Sequence, residues 1–441
     1  MSKVKFTFPR NFLWGTATAG HQVEGNNTNN NWYAWENTPG RIANGDKSGL
    51  ACDWWGGRWK EDLTNAANEG QNAHRFGIEW SRIQPTPDTW DEEALNYYRE
   101  MVKGMRSLGL TPMITLHHYT DPIWVAERGG WQNEETPRLF ADFVRKVVPA
   151  FQDLLDLWVP VNEPFGYMGN SYILGVFPPG KGSLKQVFVG LTNLVRAHAN
   201  AYHVIHELQP QAQVGFAQYY RSVVPAKPWF LPDVWETNLM DQSINRSFPD
   251  ALVDGKVKIL FWKAFVAKAV KSMDFFGLNY YSRDVVSFDI TNPRDVFRKV
   301  SVPEGALLSE NKFLAHIPEA IFDAVKWARR YHMPIYLTEN GVEDSKDVLR
   351  PRFLVENIHQ LWRAVNFNWN VKGYFHWSQV DNFEWERGWT QRFGLWGLDT
   401  ATQKRIRRKS VDVYGDICKN NSIRYEMVEK YVPEILSNIF P

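Results

Sequence analysis

Eight short apolar or aromatic runs, each bounded by turn-forming residues, recur along the 441-residue chain with helix-like segments in nearly every gap. They read FLWGTATAG, NAHRFGIEW, TPMITLHHY, LWVPVNEP, QVGFAQYY, DFFGLNYYS, PIYLTENG and KGYFHWSQ. Strand and helix in strict alternation call for a parallel sheet, because parallel neighbours need a crossover and the crossover is a helix. Eight units in this length favour one closed (β/α)8 barrel, a single domain over residues 1–441. A doubly wound dinucleotide-binding sheet would want G-x-G-x-x-G after a strand, and none follows any of these.

The helical gaps carry their own signals. DEEALNYYREMVKGMRSLG opens on acidic residues and can close at Gly109 in the left-handed conformation. In TPRLFADFVRKVVPAF, Thr136 is the expected cap and Pro137 fits the first helical position. In IPEAIFDAVKWARRYHMP, Ile317, Ile321, Ala324, Val325 and Ala328 make one apolar stripe before Pro334 admits the next strand. Three connections are long: Gly25 to Gln71, Phe165 to Gln211 and Arg283 to Ile317. At the carboxyl ends of barrel strands such segments build the mouth of a pocket.

Composition removes whole classes of partner. Fifty Lys and Arg against 49 Asp and Glu leave a net charge of +1, so nothing in the charge balance draws nucleic acid or an anionic membrane. Cys52 and Cys418 stand far apart without ligand spacing, which argues against a disulfide framework or zinc site and fits a reducing, cytoplasmic setting. Pro9 and Arg10 interrupt any apolar leader, and no run approaches the roughly 18 apolar residues of a membrane span. The excess is aromatic, with 21 Trp, 27 Phe and 17 Tyr, and Trp and Tyr present flat faces suited to the C–H faces of sugars.

Polar residues collect where the strands end: Gln22, Arg75 with Glu79, His118, Asn162 with Glu163, Gln218, Asn279 with Tyr281, Glu339 with Asn340, and Trp377 followed by Glu384 and Trp385. Two glutamates end strands four and seven. By the period of two, Glu163 continues the row of Val159 and Val161, and Glu339 that of Ile335 and Leu337. Paired carboxylates in an uncharged, aromatic-rich pocket suit cleavage of a glycosidic bond, one protonated to serve the leaving oxygen and one ionised to attack. His117 and His118 with Asp121 could suggest a metal, but adjacent strand residues point to opposite faces, and no metal or other cofactor is expected. The basic run KRIRRKS, Lys404 to Ser410, reads as a solvated loop or helix start, and Trp54, Trp55, Trp229 and Trp235 as either entrance lining or loop packing.

Over essentially its whole length the chain resembles glycoside hydrolase family 1, the β-glucosidase family, in FLWGTATAGHQVEG, NEP, TENG, DNFEW and RFGLWGLD taken in this order. The resemblance implies retaining hydrolysis through a covalent glycosyl-enzyme, with Glu163 as general acid/base and Glu339 as nucleophile. Retention calls for carboxyl groups about 5 to 5.5 Å apart. It also implies that Gln22, His118, Asn162, Glu384 and Trp385 bind hydroxyls of the nonreducing sugar, that Trp377 is the platform beneath it and Phe393 a wall, and that Arg75, Asn279 and Tyr281 surround the nucleophile. The implied partner is a small β-glycoside or short oligosaccharide. The chain departs from the family in having Tyr119 where tryptophan is common, which bears on the sugar's edge contacts, and Pro160 and Val161 before Asn-Glu-Pro where Thr-Phe is common. Alternatives are a transglycosidase using the same intermediate, a 6-phosphoglycosidase, opposed by the carboxylate of Glu384, and a noncatalytic sugar-binding barrel, opposed by the presence of both glutamates.

Overall fold

In the computed structural model, which describes residues 4–180, 182–292 and 296–441, all eight expected strands form and close on one another. They are β1 (Leu13–Ala17), β2 (Ala73–Gly77), β3 (Thr111–Thr115), β4 (Leu157–Val159), β5 (Gln213–Tyr219), β6 (Phe275–Asn279), β7 (Ile335–Asn340) and β8 (Val371–His376). Every neighbouring pair is parallel, and β8 pairs with β1 to complete the (β/α)8 barrel. Helices α1 (Trp59–Asn68), α2 (Glu92–Ser107), α3 (Thr136–Val147), α4 (Leu184–Leu208), α5 (Ser247–Asp254), α6 (Glu319–Ala328), α7 (Arg350–Asn366) and α8 (Lys409–Asn420) lie in the connections.

The helix boundaries follow from particular residues. Asp91 caps α2 by accepting from the Ala94 amide at 2.9 Å, and Gly109 follows its end at φ +76° as expected. In α3 the expected cap moves back by one residue. Glu135 holds the cap position, Thr136 is already helical, and its hydroxyl donates to the Gly130 carbonyl at 2.6 Å. The α6 stripe is buried from Ile321 to Ala328, whereas Ile317 precedes the helix and is only partly covered.

The basic run from Lys404 is solvated only in part: Lys404, Arg407 and Lys409 are exposed and Lys409 opens α8, whereas Arg405 and Arg408 turn inward. Arg405 is buried on Asp62, with contacts of 2.8 and 2.9 Å, and donates to the Cys52 carbonyl at 2.6 Å. Arg408 holds both carboxylate oxygens of Asp381 at 2.7 and 2.8 Å. These charges are inside because each has a bidentate acidic partner, and the first pair ties the connection after β1 to the one after β8. Trp54 packs within this region, its indole N–H on Asp62 at 2.8 Å, while Trp55 lies against Tyr97 and beneath Arg82. Trp229 and Trp235 are exposed. Both cysteines are free and buried, and among the described residues no helix is long and apolar enough to cross a membrane.

Barrel closure depends on close approach at Gly15. A Cβ there would stand 2.5 Å from the Ala73 carbonyl oxygen of β2 and 2.9 Å from the Phe375 ring of β8. Gly15→Ala is therefore expected to destabilise the fold by about 1–3 kcal/mol through overpacking, read as a lowered midpoint in denaturant unfolding. An unchanged midpoint would show that this part of the barrel can yield.

Candidate active site

The floor of the site is built on Arg75, which is fully buried in the middle of β2. Its Nε donates to Thr115 Oγ1 of β3 at 3.0 Å, Nη2 to Asn162 Oδ1 at 2.7 Å, and Nη1 to Glu339 Oε1 of β7 at 2.6 Å. A guanidinium out of water requires such partners. Tyr281, just past β6, donates to the other oxygen of Glu339 at 2.7 Å. Asn279 donates to Asn162 Oδ1 at 3.2 Å and to Glu163 Oε1 at 2.7 Å, and its own oxygen accepts from Thr338 at 2.7 Å. One continuous hydrogen-bonded web thus carries both glutamates.

The rows of alternate side chains expected at the ends of β4 and β7 are interrupted there. Asn162 and Glu163 are sequence neighbours, yet both bond Asn279. Regular β4 ends at Val159, before Pro160, and Glu163 sits at φ 43° in the left-handed region. Thr338 and Glu339 likewise serve the same web, and the β7–β8 register shifts between Leu337 and Asn340. Tyr119 and Trp385 also have positive φ, at 71° and 49°. Such strained backbone persists only where surrounding structure fixes it.

The two carboxyls have unlike surroundings. Glu339 is ion-paired, whereas the pKa of Glu163 is pushed up to about 7 by burial and by the charge of Glu339, against opposing hydrogen bonds from Tyr119 and Asn279. His118 is held neutral, its pKa pushed far down by burial and then by Arg75, and its Nε2 lies 3.1 Å from the Asn162 amide. His117 instead meets Asp121 at 2.9 Å, so the adjacent histidines have separate partners. Glu384 is pushed up to about 8 by burial, then by Glu386 and Glu339, so near neutral pH it can donate as well as accept.

Gln22, on the short helix Gly20–Val23, donates to Asn382, to the Phe383 carbonyl and to Glu384 at 3.0, 2.8 and 3.3 Å. Its Oε1, like His118 Nδ1, is buried without a protein partner. Trp377 and Trp385 both pack against His118 with ring centroids 5.9 Å away, and Phe393 meets Tyr281 edge-on at 6.2 Å. All twelve residues that the family resemblance implies are thus joined to one cluster by direct contacts or through one another. Gln218 is not part of this web as seen in its bonds, which go to the carbonyls of Tyr219 and Ile244. Glu79 lies behind, receiving the His21 amide and the Thr120 hydroxyl. Sequence reasoning did not find the Tyr119 hydroxyl on Glu163. The available signal was its place beside His118 in the loop that follows β3.

Among the described residues no group of three His, Cys, Asp or Glu is arranged to hold a metal ion. The (β/α)8 fold and an acidic, aromatic rim define a class of barrel hydrolases acting on glycosides, and similarity to known proteins makes the class specific. The profile of glycosyl hydrolase family 1 matches residues 4–423. Beta-glucosidase A of Thermotoga maritima is 32% identical, covering 94% of this chain and 98% of that protein. A beta-galactosidase of Pyrococcus woesei is 30% identical, covering 96% and 99%. The solved beta-glycosidase from Pyrococcus horikoshii superposes with a TM-score of 0.90 at 33% identity, covering 97% of this chain and 98% of that one. The chain belongs to glycosyl hydrolase family 1 and is an O-glycoside hydrolase.

The electrostatics of the glutamate pair yield a direct expectation. A carboxyl-specific titration of Glu163, by carbon NMR or infrared difference, should have its midpoint near pH 7. In Glu339→Gln the midpoint should fall, because a neighbouring negative charge is removed while Arg75 remains. A midpoint unmoved by that substitution would show that the two carboxyls do not interact.

Proposed function

We propose that the chain removes nonreducing terminal sugars from small β-glycosides or short oligosaccharides by double displacement, with residues 1–441 acting as one catalytic domain. The observation that carries this reading is the single web in which Glu163, with a pKa near neutrality, and Glu339, ion-paired to Arg75 and bonded to Tyr281, share Asn162 and Asn279. Glu339 attacks the anomeric carbon while Glu163 gives its proton to the leaving oxygen. The bond to the aglycone breaks and a glycosyl ester forms on Glu339. Glu163, now a carboxylate, takes a proton from water as the water oxygen attacks the same carbon, and Glu339 leaves with its electron pair. Two inversions give net retention, and no cofactor takes part.

Gln22, His118, Asn162, Glu384 and Trp385 hold the sugar hydroxyls, over Trp377 and beside Phe393. The free acceptor of Gln22 and the unpartnered His118 nitrogen support this assignment. Glucose is the first choice of sugar, with galactose and fucose as further substrates. The names beta-glucosidase and beta-galactosidase carried by two relatives support that breadth. Glu384 and Glu386 offer a 6-phosphate no cation, and the charge of a bound phosphate would hold both acids protonated. Two free, buried cysteines support a cytoplasmic setting.

Glu339→Gln should lower turnover of aryl β-glucosides by about four orders of magnitude or more. Glu163→Ala should retain activity on dinitrophenyl glycosides, which need little protonation, and azide should restore its rate with a retained glycosyl azide product. Proton NMR of the first anomer released by the wild type should show β. Release of the α-anomer, or azide rescue confined to Glu339 variants, would overturn the roles assigned. With the acid in this state, kcat/KM should fall as pH rises through about 7, because the protonated carboxyl is the active form.

A further inference from the structure

Tyr119 stands in the loop that follows β3 with its ring enclosed by His118, Tyr167, Phe177 and Trp385, at centroid distances of 4.9, 5.5, 5.3 and 5.2 Å. It is 5% exposed, so the ring is fixed from several sides and its hydroxyl has one direction in which to point. That hydroxyl meets Oε2 of Glu163, while the Asn279 amide meets Oε1 at 2.7 Å. The two partners differ in kind. An amide N–H can only donate, whereas a phenol oxygen can donate or accept. Both bonds can therefore persist whether Glu163 is charged or neutral, because the Tyr119 bond can reverse when a proton sits on Oε2.

We propose that Tyr119 is a positioning residue for Glu163 whose hydroxyl accepts from the carboxylic acid before proton transfer and donates to the carboxylate after it. The proposal rests on the acid/base role of Glu163. With Asn279 occupying Oε1, the acid proton resides on Oε2, the oxygen shared with Tyr119, and it passes from there to the leaving oxygen. The phenol then turns its own O–H toward the carboxylate. The phenol keeps its proton throughout, since burial and the charge of Glu163 push its pKa far above the ordinary range. The other titratable or charged groups facing Glu163 are Arg75, Tyr219, Tyr281 and Glu339, with Glu384 acting on Tyr119.

Removing the hydroxyl takes a charge-assisted bond from the carboxylate and only a weaker neutral one from the acid, so Glu163 should hold its proton to higher pH. In Tyr119→Phe and Tyr119→Trp, the alkaline limb of kcat/KM for a methylumbelliferyl β-glucoside should move up by about one pH unit, with thermal midpoints near wild type. A dinitrophenyl β-glucoside, which needs little acid assistance, should show a smaller displacement. In the Glu163→Ala background, adding Tyr119→Phe should leave the azide-rescued rate unchanged within twofold. A limb that stays in place or moves down in both variants, whatever the loss of rate, overturns the proposal. So does a Tyr119→Phe effect of equal size in the Glu163→Ala background. If azide does not rescue Glu163→Ala at all, it is the acid/base assignment that fails.

Discussion

A positive charge with no access to water sits beneath the site and sets the terms for everything above it. Arg75 bonds groups from β3, the end of β4 and β7, so three strands far apart in sequence must meet at one guanidinium. Removing either the cation or Glu339 would leave a buried charge unpaired, an effect on the order of 3–5 kcal/mol. The stability of the floor and the pairing of Glu339 with Arg75 are consequently the same fact. Asn162 is oriented by the same interaction, since its oxygen faces Arg75 and Asn279, leaving its amide toward His118.

The asymmetry between the carboxyls follows from what each lacks. Glu339 has the cation. Glu163 has only neutral donors, Asn279 and Tyr119, and a negative neighbour. Neutral donors offset less of the cost of a buried charge than a guanidinium does, and the pKa of Glu163 rises accordingly. A third carboxyl, Glu384, is raised further still. The pocket therefore holds three acids near neutral pH with fewer than three negative charges.

Much of this was legible because barrel strands are short, apolar and bounded by Gly, Pro and polar residues. All eight were readable, as were the polar residues at their ends. Contacts between distant positions were not. Arg405 and Asp62 lie 343 residues apart, so a basic run looked solvated when two of its members were interior. The capping of α3 turned on whether a threonine hydroxyl bonds forward or back, which propensity does not decide. Strict alternation failed at the two glutamates, because regular β4 ends at Val159 before Glu163 and the β7–β8 register shifts around Glu339. Tyr119 showed its identity in sequence but not its partner, 44 residues on.

The left-handed backbone at Glu163 bears on how such a chain can change over generations. At φ 43° a glycine, asparagine or aspartate would rest more comfortably than glutamate. Substitution toward those residues would ease the backbone while removing the carboxyl that Asn279 and Tyr119 hold. The glutamate at this position therefore presents its carboxyl to Asn279 and Tyr119 at a standing cost in backbone strain.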